Sequence, residues 1–469
     1  MLRPFPSKMS ATPLRISRNL ERLRAVENGL QKVVWNLRTF QVLVMVFHFS
    51  GLLARAEDFQ GASHPLDYDR DPIGYDKATP ADAVSKLQKN LDSGIMKLAY
   101  DEKFGYLPAL LKELGIPTAS QMLVFSKTSL QRRFIGPDNP RAIYFNDDVY
   151  VGYVPGTPAI EVSTVDPNLG ANFYRLENQS VERPRLTREQ DCLSCHGGQR
   201  SLGVPGHLVR SIATDSSGEL LSSSETKDID HCTPISDRWG GWYVTGQHGG
   251  QTHRGNLIGE KAFERAEAKP NYLGNIDKLT RFFDTKKHLR PTSDIVALMV
   301  LEHQIKMHNY ITRLNFEARI MTNVYGHVRY MRKQADAFLR FLVFTEEAPL
   351  TNSISGDPAF VKEFSARGPK DTKGRSLRDL DLRTRLFKYP CSYLIYSEQF
   401  DAMPEIMRDE LLQRLHAILT GQDKDPQFAS LGAQQRKDVL EILKATKQNL
   451  PACWREAVDQ RSNVVLESE

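Results

Sequence analysis

From Asp82 to Ala99 the apolar residues Val84, Leu87, Leu91 and Ile95 recur at the spacing of one helical face. Tyr106 to Leu114 predicts a second short helix, stopped by Gly115 and Pro117. The pattern then becomes strand-like. Gln121 to Ser126 is a short β-rich run, and Arg141 to Tyr153 places two β-rich arms around Asn146-Asp147-Asp148, a hairpin signal. Ala159–Val165 and Ala171–Leu176 predict two more strands, with Asp166-Pro167-Asn168 as the turn between them. Leu208–Ala213 and Glu219–Ser222 predict a further hairpin around Asp215-Ser216-Ser217-Gly218.

From Ser293 the spacing is helical. The run SDIVALMVLEHQIKMHNYITRLNF is apolar on more than one face, and Pro291, Thr292, Ser293 and Asp294 are start signals. Residues 347–380 are rich in Pro, Gly, Lys, Asp and Ser and predict a loop or linker. Pro404–Thr420 is an amphipathic helix with Pro404 in its first turn and Gly421 at its end. Gln434–Gln448 predicts another helix, halted by Pro451. The expected fold class is α+β, with strands in the N-terminal half and a mainly α-helical C-terminal half. The segments divide as 1–56, a leader; 57–180, an α+β module; 181–260, the segment that carries the chemistry; 261–346, a helical region contributing to its pocket; and 347–469, α-helical.

That chemistry rests on Cys192-Leu193-Ser194-Cys195-His196, which spells C-x-x-C-H. The pattern attaches haem covalently: two thiols form thioethers with the two porphyrin vinyl groups, and the following histidine ligates the iron. Two alternatives stand beside it. A structural zinc needs four ligands, yet Cys232, Cys391 and Cys453 form no second C-x-x-C, which leaves histidines such as His207 or His231 to complete the set. A redox dithiol normally opens a helix after a strand in a βαβ unit, whereas here Gly197-Gly198-Gln199-Arg200 reads as loop.

Composition bears on compartment. Phe40–Leu53 is an apolar run of signal-peptide length, preceded by Arg38 and followed by Ala54-Arg55-Ala56 as a cleavage site. Export is therefore expected, with membrane attachment only through an uncleaved leader. The whole chain carries a formal +5. Residues 1–56 hold nine basic and two acidic residues, so the remainder has 53 basic against 55 acidic residues. The basic excess belongs to the leader, and nucleic acid is not an expected partner.

Around the motif, Gly203-Val204-Pro205-Gly206-His207 predicts a turn with an aimed histidine. The run Arg238-Trp239-Gly240-Gly241-Trp242-Tyr243-Val244 suits a flat cofactor, because glycines admit close approach and Trp239 and Trp242 can cover a ring. Arg200, Arg210, Arg238 and Arg254 are candidates to pair with haem propionates. His253 and His248 lie in a Gly-rich loop; His303 and Met307 share a helical face. His303, His253 and Met307 are the candidate distal ligands.

The stretches CLSCHGGQRSLGVPGHLVRS, RWGGWYVTG, SDIVALMVLEHQ and RLFKYPCSYLIYS resemble exported bacterial proteins described as cytochrome c domain-containing. The resemblance implies one haem c bound through Cys192 and Cys195 with His196 on iron. No Met occurs between Met122 and Met299, so a methionine ligand would come from a distant helix. Three functions are expected in order: electron transfer with a redox partner protein or a small-molecule donor or acceptor; a peroxidase-like haem oxidoreductase with an open iron site; and a structural zinc-binding module.

Overall fold

In this computed structural model residues 65–221, 226–270 and 272–455 are described. The leader expected over 1–56 lies outside them. Two helices open the described chain. α1 (Ala83–Asp92) starts where the Asp82 carboxylate accepts the Ser85 N–H, and α2 (Leu107–Glu113) follows. α1 ends short of the expected Ala99. Gly94 takes a left-handed φ of 74°, so Ile95 leaves the helical face and is 80% exposed.

Seven strands form one antiparallel sheet: β1 (Met122–Val124), β2 (Arg141–Phe145), β3 (Val149–Tyr153), β4 (Ala159–Asp166), β5 (Gly170–Glu177), β6 (Leu186–Arg188) and β9 (Trp242–Tyr243). Their order is β6-β5-β4-β3-β2-β1-β9. The two long hairpins close on local polar chemistry. Asn146 Oδ1 accepts the N–H groups of Asp148 and Val149, and Asp166 Oδ1 accepts those of Asn168 and Leu169. Ala142, Tyr144, Val151, Val162, Tyr174 and Leu176 line one face and pack under α1 and α2. Met122, Val124, Phe145, Tyr150 and Val165 line the other and join the main core. Both faces being covered, strict apolar–polar alternation is lost, and β3 is buried at all its positions.

Of the expected hairpin over Leu208–Ala213 and Glu219–Ser222, the described residues show a bridge between Thr214 and Leu220, and Ser222 lies outside them. Instead β7 (Arg210–Ser211) pairs with β8 (Lys227–Asp228). The helices after β6 are α3 (Leu193–His196), α4 (Glu260–Ala268), α5 (Ile295–Tyr325), α6 (Arg332–Leu342), α7 (Pro358–Ala366), α8 (Glu398–Asp401), α9 (Glu405–Thr420) and α10 (Ala433–Thr446). α5 has 31 residues and so runs about 46 Å. Asp294 caps its start by accepting the Ala297 N–H at 2.8 Å, and Gly326 ends it at φ 72°. It is buried around its whole circumference over most of its length, which explains apolar residues on more than one face.

The expected loop over 347–380 contains α7. Asp357 caps it on the Ala359 N–H, and Phe360 and Phe364, four apart, are both buried. Strands are thus concentrated in the N-terminal half and helices in the C-terminal half. The described residues fall in one compact unit. The segments 57–180 and 181–260 are not separate modules, because β6 and β9 from the second complete the sheet of the first. Among the described residues no helix is long and apolar enough to cross a membrane.

Candidate functional site

The C-x-x-C-H motif forms α3, a single turn just past the sheet-edge strand β6. Ser194 Oγ donates back to the Asp191 carbonyl at 2.7 Å, and the His196 N–H closes the turn on the Cys192 carbonyl at 2.9 Å. Cys192 is half-buried, Cys195 is exposed, and neither is bridged. Both thiols are therefore accessible one turn apart.

His196 is held in one tautomer. Its Nδ1 lies 3.0 Å from the Gly206 carbonyl. A carbonyl can only accept, so Nδ1 carries the hydrogen and Nε2 presents its lone pair. Burial pulls the pKa down to about 4 against the opposing Gly206 hydrogen bond, and Arg141 and Arg210 add to the fall. The ring is thus neutral at ordinary pH, as a metal ligand must be.

The acceptor is itself fixed. The Gly206 N–H donates to the His196 carbonyl at 2.8 Å, which makes the pairing reciprocal. One residue on, the Asn309 amide of α5 clamps His207. Asn309 Oδ1 accepts its N–H at 3.0 Å, and Nδ2 donates to its carbonyl at 2.8 Å. Ser201 Oγ sits 2.8 Å from the Val204 carbonyl and braces the same loop. A Cβ at Gly206 would stand 2.4 Å from Asn309 Oδ1 and 2.9 Å from Ser201 Cβ. Gly206→Ala is therefore expected to cost about 1–3 kcal/mol by overpacking. Gly250→Ala, where a Cβ meets nothing within 4 Å, provides the control in urea denaturation.

The sheet supplies the floor. Phe173 on β5 stands 4.9 Å from the His196 ring and 5.7 Å from the His207 ring. His207 is buried, with Nε2 3.0 Å from Ser163 Oγ and its ring 4.5 Å from Tyr150. Beside them Arg141 on β2 and Glu161 on β4 form an ion pair at 2.6 Å. It spans Gly152 on the intervening strand, where a Cβ would meet the Arg141 guanidinium at 2.3 Å. Burial pushes the Cys192 thiol up to about 11, and Glu161 and Glu189 add to the rise.

The structure brings only some of the expected residues to this place. Arg210 on β7 is within electrostatic reach of Cys195, its pKa lowered first by burial and then by Arg200. Its carbonyl accepts from Trp242 Nε1 at 2.8 Å, which ties Trp242 to the same wall. Trp239 is fully buried and donates instead to Glu302 Oε2 at 3.2 Å.

The expected distal ligands are engaged elsewhere. His303 is fully buried, with Nδ1 2.9 Å from His231 Nδ1 and Nε2 2.8 Å from Ser392 Oγ, so both ring nitrogens are taken. Met307 is fully buried core. His253 accepts the Gly255 N–H at Nδ1, which leaves its hydrogen on Nε2, and its ring packs on Trp239 and His248. His248 directs Nδ1 to the Gln251 carbonyl at 2.7 Å. The helical spacing behind His303 and Met307 carries little information because α5 is buried all round.

Sequence reasoning passed over Asn309, Arg141, Glu161 and Phe173, and read Gly206 only as part of a turn. The run G-V-P-G-H does hold the partner of His196, but the partner is a backbone carbonyl and not the side chain of His207. The residues present fit a covalently held haem: two unbridged thiols one turn apart, a neutral imidazole with Nε2 as its lone-pair nitrogen, and Arg141 and Arg210 within electrostatic reach of that imidazole. No family model matches the chain, and no curated protein or solved structure matches it either.

Proposed function

We propose that this chain is an exported c-type haem protein whose single haem is carried on Cys192 and Cys195, with His196 Nε2 on the iron, and whose function is electron transfer. The observation that supports this reading is the fixed tautomer of His196 directly after two unbridged thiols. When bound, the haem supplies a one-electron couple. The chain's own residues then have defined tasks. The Gly206 carbonyl holds the proton at Nδ1 and raises the basicity of Nε2. Phe173 and Tyr150 keep water from the sheet side of the imidazoles. The net charge beyond residue 56 is slightly negative, which suits a redox partner protein or a small-molecule donor or acceptor and not nucleic acid.

A second reading is a haem oxidoreductase of peroxidase type. One observation favours it: His303, Met307 and His253 have other partners or are sealed in the core, so none of these three is free to serve as a second ligand to an iron held by His196.

The test is the optical spectrum of protein expressed with its leader in a host that matures c-type cytochromes. A Soret band that remains with the chain through acid-acetone extraction is expected. A colourless protein with stoichiometric zinc would overturn both readings and leave a structural zinc module.

A further inference from the structure

α5 is buried around its circumference over most of its length, but its last turn is different. Every position from Thr322 to Gly326 is exposed, so the end of the helix stands clear of the protein body. A 3-10 turn over Arg329–Met331 then leads into α6. Val324, Tyr325 and Tyr330 on this stretch are 60%, 56% and 67% exposed. Other exposed large apolar side chains among the described residues, such as Ile95 and Leu130, are scattered singly along the sequence. Here the rings hold together. Tyr325 lies 5.7 Å from Tyr330, and His327 lies 5.2 Å from Tyr330 and 6.2 Å from Tyr325.

The charge around these rings is of one sign. Between Glu317 and Asp336 the chain has Arg319, Arg329, Arg332 and Lys333 and no acidic residue. Arg319 is engaged with the Asn168 and Pro72 carbonyls. Arg329, Arg332 and Lys333 are exposed, and none of them forms an ion pair among the described residues. Asp336, the next acid, pairs with Arg414 at 3.2 Å, although Arg332 also acts on it. Met331 and Ala335, four apart, turn inward and are buried, so Arg329 and Lys333, offset by two positions, turn outward.

A projecting helix end with a few apolar side chains among cations fits a lipid surface better than a protein. A stable protein interface takes about 800 Å² from each partner, more than three side chains provide. An anionic bilayer asks only for shallow insertion. Tyrosine favours the headgroup level, and the stems of Arg and Lys bury while their charges reach phosphate.

We propose that the end of α5 and the start of α6 dock the protein on an anionic phospholipid surface. Val324, Tyr325 and Tyr330 enter the headgroup layer, and Arg329, Arg332 and Lys333 meet the lipid phosphates. Docking of this kind is peripheral and needs no spanning helix.

The probe is co-sedimentation of the purified protein with vesicles of phosphatidylglycerol and phosphatidylcholine in equal parts, against phosphatidylcholine alone. The wild type is expected to bind the anionic vesicles about tenfold or more tightly than the neutral ones, and to lose that preference in high salt. Arg329→Gln/Arg332→Gln/Lys333→Gln should remove the preference. Tyr325→Ser/Tyr330→Ser should weaken binding to the anionic vesicles about fivefold or more. Ile95→Ser, exposed but outside the patch, should change neither result. All variants carry the wild-type N-terminus, so any hold by the leader is common to them, and every substituted side chain is exposed, so the fold should stand. Equal affinity for the two vesicles would overturn the proposal. So would a preference that the charge variant keeps, or an affinity that the tyrosine variant leaves unchanged. Self-association through Tyr325 and Tyr330 without vesicle binding would assign the patch to a second copy of the chain, and overturns it too. No residue of the patch belongs to the C-x-x-C-H segment, so a chain without haem should still bind the vesicles.

Discussion

Cys192→Ser/Cys195→Ser is expected to release every haem from the chain into acid-acetone, whereas the wild type is expected to retain it. The effect is all or none because each thioether is a separate covalent bond, and the two cysteines sealed in the core cannot replace them. Cys391 is fully buried, its thiol pushed far up by burial, and Cys232 is buried in the core. Either single variant keeps one thioether and should still retain haem. The fold should tolerate the change. Cys195 is exposed and Cys192 half-buried, and α3 is closed by backbone bonds and by Ser194, none of which uses sulfur. Urea denaturation of the haem-free chains should therefore agree within about 0.5 kcal/mol. Loss of haem together with loss of the fold would show that the thiols are structural.

Glu302→Leu is expected to destabilise the fold by about 3–5 kcal/mol, the usual cost of leaving one partner of a buried ion pair unmatched. Glu302 is completely buried on α5 and bonds both the Arg238 guanidinium and Trp239 Nε1. Arg238 also donates from Nε to the Thr233 carbonyl at 2.7 Å and from Nη2 to the His231 carbonyl at 3.1 Å. Burial pushes the Glu302 carboxyl up to about 8 even against the opposing pull of Arg238, which shows how costly the carboxylate would be without its partner. The double variant Arg238→Met/Glu302→Leu should therefore recover much of the loss, because two apolar residues of similar size carry no desolvation cost. A double-mutant cycle in urea checks this. Additive losses would mean that Arg238 acts through its carbonyl partners and not through Glu302.

The elements that could be read from the sequence are those whose cause is local. Asn146 and Asp166 bond their own turns, so both long hairpins were legible. Asp294 and Gly326 punctuate α5 within one turn of its ends, although only its start was read. The start of α7 was equally local, since Asp357-Pro358 and the Phe360–Phe364 pair are a cap and a buried stripe. Surrounding Gly, Lys and Ser hid it. What could not be read are the elements defined by partners. β6 and β9 have three and two residues, and they are strands only because β5 and β1 lie beside them.

The site divides the same way. Cys192, Cys195 and His196 fall within one run of five residues, and the motif is legible from their spacing. Arg141 and Glu161 meet only because Ile143, Gly152 and Glu161 share a register across three strands. Gly206 contributes a backbone oxygen, and every residue has one. Asn309 is one polar position on a helix whose surroundings are invisible until the loop at 203–207 is laid against it.

The tip of the β2–β3 hairpin has a consequence for how the chain assembles. Asp147 is gripped by the side chains of Arg367 and Arg378, and its carbonyl lies 2.9 Å from His308 Nε2. Arg378 is 231 positions away. A hairpin formed early must therefore wait for most of the polypeptide before its end is sealed, and such non-local closure slows folding. The same delay governs α3, whose brace at Gly206 depends on Asn309. On the proposed export and haem attachment, a freshly translocated chain would present its two thiols on an unbraced segment for the whole of that interval. Attachment and folding would then compete in time, and faster closure, not a weaker motif, would be the way to lose a haem.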